Sequence, residues 1–273
     1  MADIAKERSA EPAEIIGATT STPIGNVEDA LKIYNVGSEP WLWQVAGGFV
    51  DGYIGITKYG RIPQMGAVTR DIVNWGSNIH YPTTASTLSV LSSSNSDTGA
   101  TVQIYGLDAN WNMIEEFIVL QNNSVTTTNS FLRVNGARHV IPATGQTSNV
   151  GNVDISIGNN TMAYIIAGKG STEQCAFAIP AGYKAYILNA RTSIYASSGS
   201  GNKQGLSEFF IRMFGSSWMQ VSSEGIDSNG GAAYFDPNMP LVLGEKTDVK
   251  LSVTSSQNST AATGIIQYVL EAI

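Results

Sequence analysis

Short runs in which apolar and polar residues alternate dominate the chain from about Phe49 onward. Period-two alternation is the mark of a strand with one face buried and one face out. Thr101–Tyr105 (TVQIY) places Val102 and Ile104 on one face, and Met113–Leu120 (MIEEFIVL) returns as a second strand. Between them Gly106–Asn112 (GLDANWN) supplies the Gly, Asp and Asn that hairpin turns favour. Asn152–Ile157 puts Val153, Ile155 and Ile157 in and Asp154 and Ser156 out, and Thr161–Gly168 reads as a buried strand. After a polar break at Gly168–Gln174 the pattern restarts at Ala176–Pro180 and Tyr183–Ala196, followed by a loop at Ser197–Gly205. Glu208–Gly215 sets Phe209, Ile211 and Met213 against Phe210, Arg212 and Phe214. Asp248–Thr254 sets Val249, Leu251 and Val253 against Asp248, Lys250 and Ser252, and Gly264–Ile273 is the last strand. No long stretch of 3.6-residue periodicity lies between these strands. The expectation is an all-β fold of two tandem antiparallel β-sandwich, jelly-roll-like regions, residues 48–168 and 169–273. One fused sandwich is the alternative.

Residues 1–47 break the pattern and are expected to form an extended N-terminal arm. Asn26 is placed to cap a short helix from Val27, with Gly37 to end it. Trp41 and Trp43 follow, two residues apart. Two exposed indoles on an arm are unfavourable, so the segment is expected to dock, on its own domain or on a neighbouring subunit.

Composition sharpens this picture. Of 273 residues, 42% are hydrophobic and only 14% charged, against roughly 25% charged in ordinary soluble domains. Uncharged Ser, Thr, Asn, Gln and Gly take the place of charge, and such a surface costs less to bury between subunits. The net charge of −7, with no run of Lys or Arg, excludes a general nucleic-acid coat and predicts no direct nucleic-acid partner. Lys58, Arg61 and Arg70 fall near one another and read as solvated or interface charges. The N-terminus has no apolar signal stretch and no run is long enough for a membrane helix, so no membrane partner is expected and the site of synthesis is expected to be a cytosol. The sequons at Asn122, Asn159 and Asn258 then carry little weight.

Candidate chemistry is sparse. Cys175 stands alone and reads as a small core residue, excluding an internal disulfide. His80 and His139 have no ligand spacing around them. Neither a nucleophile elbow, a P-loop nor a dinucleotide-binding fingerprint is present. Glu115 and Glu116 are adjacent on a strand and point to opposite faces, so they do not form a catalytic pair. Asp97, Asp108 and Asp154 read as turn aspartates in preference to calcium ligands. No catalytic residue, cofactor or metal is therefore expected. Trp75, Trp111, Trp218 and Tyr234 lie near turns, where a sugar platform or a subunit contact would sit.

The marks KYGR from Lys58, DIVNWG from Asp71 and YPTTASTLSVLSSSNSDT from Tyr81 belong together with YGLDANWNMIEE from Tyr105 and VTTTNSFLRVNGA from Val125. With them the chain resembles a family of tailed-bacteriophage virion structural proteins, and LVLGEKTDVKLSVTSS from Leu241 extends the likeness toward the C-terminus. The family's usual Asp-Ile-Trp-Asp-Gly-Gly is here Asp71-Ile-Val-Asn-Trp-Gly, so the role of that loop can differ. The resemblance implies a non-enzymatic virion component assembled in the host bacterial cytoplasm. It is expected to be a capsid decoration or cement protein that forms a homo-oligomer, favoured as a trimer, and contacts the major capsid protein. A tail-associated collar, nozzle or fibre-base protein, or a carbohydrate-binding host-recognition module, are the alternatives. Trp41, Trp43, Lys58, Arg61 and Trp75 are the expected subunit-interface residues.

Overall fold

The structure is a computed structural model and describes residues 40–199 and 201–273. The proposed helix between Asn26 and Gly37, and most of the arm, lie outside the described residues. The chain divides into two units, Met1–Asp51 and Gly52–Ile273. Of the first, the described part holds one short helix, α1 (Trp41–Ala46), entered through Pro40 and closed at Gly47. Pro40 fits there because its fixed φ and missing N–H cost nothing where no helical bond would form.

The second unit is built of antiparallel strands throughout, as the alternation predicts. They form two sandwiches, each with its own apolar core. In the first, β1 (Tyr53–Met65), β17 (Thr260–Ala272) and β11 (Tyr183–Ala196) run side by side, and β14 (Ala232–Phe235) and β15 (Leu241–Leu243) both pair with β11. The facing sheet holds β10 (Ala176–Ala178), β16 (Thr247–Ser255), β12 (Gln204–Met213) and β13 (Met219–Asp227), with β2 (Thr69–Asp71) also on β16. Ile62, Ile72, Ile179, Phe209, Val249 and Ile266 are among the fully buried residues between them.

The second sandwich consists of a four-stranded sheet and a three-stranded sheet. The former is ordered β6 (Val125–Phe131), β3 (Ser86–Ser92), β8 (Val153–Ile157), β9 (Asn160–Ile165). The latter is ordered β5 (Met113–Val119), β4 (Thr101–Leu107), β7 (Arg133–Ile141). Leu88, Val102, Ile104, Phe131, Val153 and Ile155 fill its core.

The expected boundaries need one correction. Residues 48–168 do not form one sandwich. β1 and β2 leave the first half and pair with β17 and β16, more than 180 residues away. The 86–165 sandwich is therefore inserted into a carrier sandwich made from both ends of the unit. The insertion opens and closes at one place, where Val73 forms a bridge with Gln174 and Cys175 N–H donates to the Ile72 carbonyl at 2.9 Å. Cys175 is buried, as expected, and burial pushes its thiol pKa up.

Candidate functional site

Three features stand out: a buried ionic cluster between the sandwiches, an open groove beside it in sequence, and an exposed sheet face.

The cluster begins on β16. Alternation predicts that Asp248, Lys250 and Ser252 face solvent. Instead that face is covered, and Asp248 has no exposed surface at all. Its carboxylate receives a two-pronged contact from Arg133 on β7, Nε at 2.6 Å and Nη2 at 3.0 Å, and another from Arg212 on β12 at 2.7 Å. Arg133 Nη1 also donates to the carbonyls of Pro82 and Leu132. Such forked geometry satisfies most of the lone pairs of a buried carboxylate. Two residues along, Lys250 Nζ meets Asp71 at 2.7 Å, and Ser252 Oγ and the Ile79 N–H donate to the same carboxylate. Aromatic rings close over the cations. Arg133 lies 5.1 Å from the Trp111 ring and 5.4 Å from Tyr81, while Arg212 and Lys250 lie 4.5 and 4.6 Å from Trp218. Cations over indole faces are attracted by the ring quadrupole. Burial and the two carboxylates hold the Tyr81 hydroxyl pKa well up.

Trp111 is buried and packs against Arg133 and Phe214, and one face of Trp218 looks onto two cations. Trp111, enclosed in this way, is not an open sugar platform. Asp97 likewise is a structural carboxylate: it accepts from Val150 N–H, Gly151 N–H and Ser92 Oγ. Asp108 accepts from the N–H groups of Asn110 and Asn112, which lowers its pKa. Asp154 accepts from Thr161 Oγ1. Among the described residues no group of three or more His, Cys, Asp and Glu is placed to hold a metal ion.

The groove lies between the inner face of β1 and β17 on one side and one end of the three-stranded sheet on the other. Its volume is about 590 Å³. Ile56, Leu270 and Pro180 give it apolar wall and Tyr105 and Tyr268 aromatic wall, and Ser171 and Thr172 also line it. Lys58 lines it too. Lys58 shares a face of β1 with Ile56, Gly60 and Ile62, and only 8% of it is exposed. Of the reading of Lys58 as a solvated or interface charge, the solvated alternative is thereby corrected: Lys58 is buried within the chain itself. Its ammonium donates to the Asn135 carbonyl and lies 5.8 Å from the Tyr105 ring. No carboxylate pairs with it among the described residues, and burial brings its pKa down to about 8. The signal was in the sequence: Ile54, Ile56, Lys58, Gly60 and Ile62 follow one another at period two, with Lys58 in the apolar register.

The exposed face belongs to the same three-stranded sheet. Glu115, Gln103 and Arg138 form a hydrogen-bonded row across it. Beyond that row, away from the groove, Phe117, Val119 and Ile141 stand more than half exposed. Val119 and Ile141 flank Thr101 from either side.

The remaining expected interface residues fall in several places. Trp41 and Trp43 are exposed on α1, Trp43 at 69%. Arg61 lies on the opposite face of β1 from Lys58 and pairs with Glu173 at 3.3 Å. Trp75 is half-buried, and its indole N–H is enclosed without an acceptor. Lys58 and Arg61 therefore do not share one face. His139 is partly buried, which lowers its pKa.

No family model and no curated protein matches the chain. Among solved structures it is similar to a chain of the infectious bursal disease virus Gt strain, at 8% identity over 86% of this chain and 83% of that one, with a TM-score of 0.17. For a chain of the Gx strain of the same virus the values are 10%, 81%, 76% and 0.17. At such scores neither likeness bears on function. No helix of the described residues is long and apolar enough to cross a membrane.

Proposed function

We propose that this chain is a non-catalytic structural subunit of a tailed-phage particle, a capsid decoration protein that self-associates and sits on the major capsid protein. The observation that carries the reading is the uncovered side of the three-stranded sheet. β5 is an edge strand, so among the described residues one row of its backbone donors and acceptors has no strand partner. The same strand presents Phe117 and Val119 outward, with Ile141 on the other edge strand, β7. An apolar edge of this kind is an aggregation hazard unless another chain covers it. The low charge of the whole sequence and its resemblance to phage virion proteins support a sister subunit as the cover. A threefold assembly is the favoured symmetry, with the particle assembled in the host bacterial cytoplasm.

Two measurements test the reading. Phe117→Glu combined with Val119→Lys is expected to reduce the oligomer to a folded monomer in sedimentation analysis; an unchanged mass would remove this edge from the interface. Counting the protein against the major capsid protein in purified particles is expected to give hundreds of copies. About a dozen copies would place it in the tail, and complete absence from particles would end the proposal.

A further inference from the structure

The Lys58 groove borders the assembly surface, sharing Met113 and Glu115 of β5 with it, but the virion reading makes no use of it. A lysine this buried normally has a carboxylate beside it or gives up its charge, because desolvating an ammonium is costly. Lys58 has one backbone carbonyl and an aromatic ring instead. The charged groups facing it can be named. Glu115 lines the groove but is exposed and engaged by Gln103, which in turn accepts from Arg138. The Cys175 thiol, behind Lys58, is held neutral by burial, and Tyr105 and Tyr268 have hydroxyl pKa values raised by burial. The ammonium is therefore uncompensated, at the wall of an open groove large enough for a small ligand. Tyr105, Tyr268, Ser171 and Thr172 line the same groove. Such walls suit a polyhydroxylated ring, with an aromatic face for its C–H groups and hydroxyls for its own.

We propose that this groove is a binding site for a small carboxylated sugar, whose carboxylate completes an ion pair with the Lys58 ammonium. Glucuronate is the probe. Binding to the whole chain is measured by NMR titration against two controls: glucose, which has the ring without the charge, and acetate, which has the charge without the ring. Glucuronate is expected to bind at least about tenfold more tightly than either, the scale of one charge-assisted hydrogen bond in a desolvated site. Lys58→Met, which keeps the stem and removes the charge, is expected to abolish that advantage. In the native chain, glucuronate is expected to raise the Lys58 pKa, so that binding weakens as the ammonium is lost above about pH 8. Equal affinity for acetate would overturn the sugar, and equal affinity for glucose would overturn the ion pair. Undiminished binding to Lys58→Met, or an unmoved Lys58 titration at saturation, would overturn the site.

Discussion

Asp248 has no exposed surface, and two arginines hold it. Removing its charge while keeping its shape, by Asp248→Asn, leaves Arg133 buried at 4% exposure with no counter-charge. Breaking one side of such a pair costs about 3–5 kcal/mol. Urea denaturation of the variant is expected to show a loss of that size, whereas Glu173→Gln, at the less buried and longer Arg61 pair, is expected to lose less. Lys58 has the opposite sign. Its pKa falls from 10.5 to about 8 on folding, so between those values the folded chain binds fewer protons than the unfolded one. Stability therefore rises with pH across that window, until the buried Tyr81 and Tyr268, whose pKa values are raised, reverse the trend as unfolded tyrosines ionise near pH 10. At pH 7, Lys58→Met is expected to be more stable than the native chain by on the order of 3 kcal/mol. The gap is expected to close between pH 8 and 10. A pH-independent gap in urea melts would mean the native ammonium is not desolvated.

Among the elements, β1 and β17 depend on one pair of facing glycines. Gly60 and Gly264 are opposite each other in register, and the backbone at Ile72 and Cys175 passes directly beneath Gly60. A Cβ on Gly60 would stand 2.4 Å from Cys175 N and 2.5 Å from the Ile72 carbonyl oxygen, both backbone atoms that cannot turn aside. Gly60→Ala is expected to lower stability by about 3 kcal/mol, as overpacking in a close-packed core does, and calorimetry is the check. Gly225, with open space around its Cβ position, is the control and is expected to tolerate alanine. The strands themselves were legible in the sequence. Tyr183–Ala196 is β11 to the residue, and the predicted hairpin at Gly106–Asn112 is present, with Trp111 at φ 69° in its turn. Their partners were not legible. Nothing local in residues 53–71 announces strands 180 residues downstream, because pairing at that distance depends on which faces the folded core leaves free. For the same reason the Asp248 face of β16 reads as solvent-facing: the arginine that buries it lies 115 residues away. Lys58 is a different case: its place in an apolar period-two register is visible in the sequence, and only its charge argues for solvent.

At the scale of the whole second unit, the insertion makes a prediction that tandem domains would not. If residues 169–273 were a self-sufficient sandwich, they would fold when expressed alone. In the structure that segment lacks β1, which covers the whole length of β17, and β2, which pairs with β16. It would expose one edge of a 13-residue strand and lose Ile62, Met65 and Ile72 from its core. Residues 169–273 alone are therefore expected to aggregate or remain unfolded. Residues 52–73 joined to 174–273 by a short flexible linker contain every strand of the carrier, and their new junction falls where Val73 already bridges Gln174. Closing so short a loop costs little entropy. That chain is expected to fold cooperatively but to be weaker than the native unit. The Leu107, Trp111, Leu132 and Ala178 cluster would be lost, and Asp248 would keep only Arg212. Circular dichroism and a thermal melt distinguish the outcomes. Cooperative folding of 169–273 on its own would show that the carrier does not need its N-terminal strands. Failure of the joined chain, even with Asp248→Asn to remove the half-paired charge, would show that the inserted sandwich is part of one folding unit with its carrier.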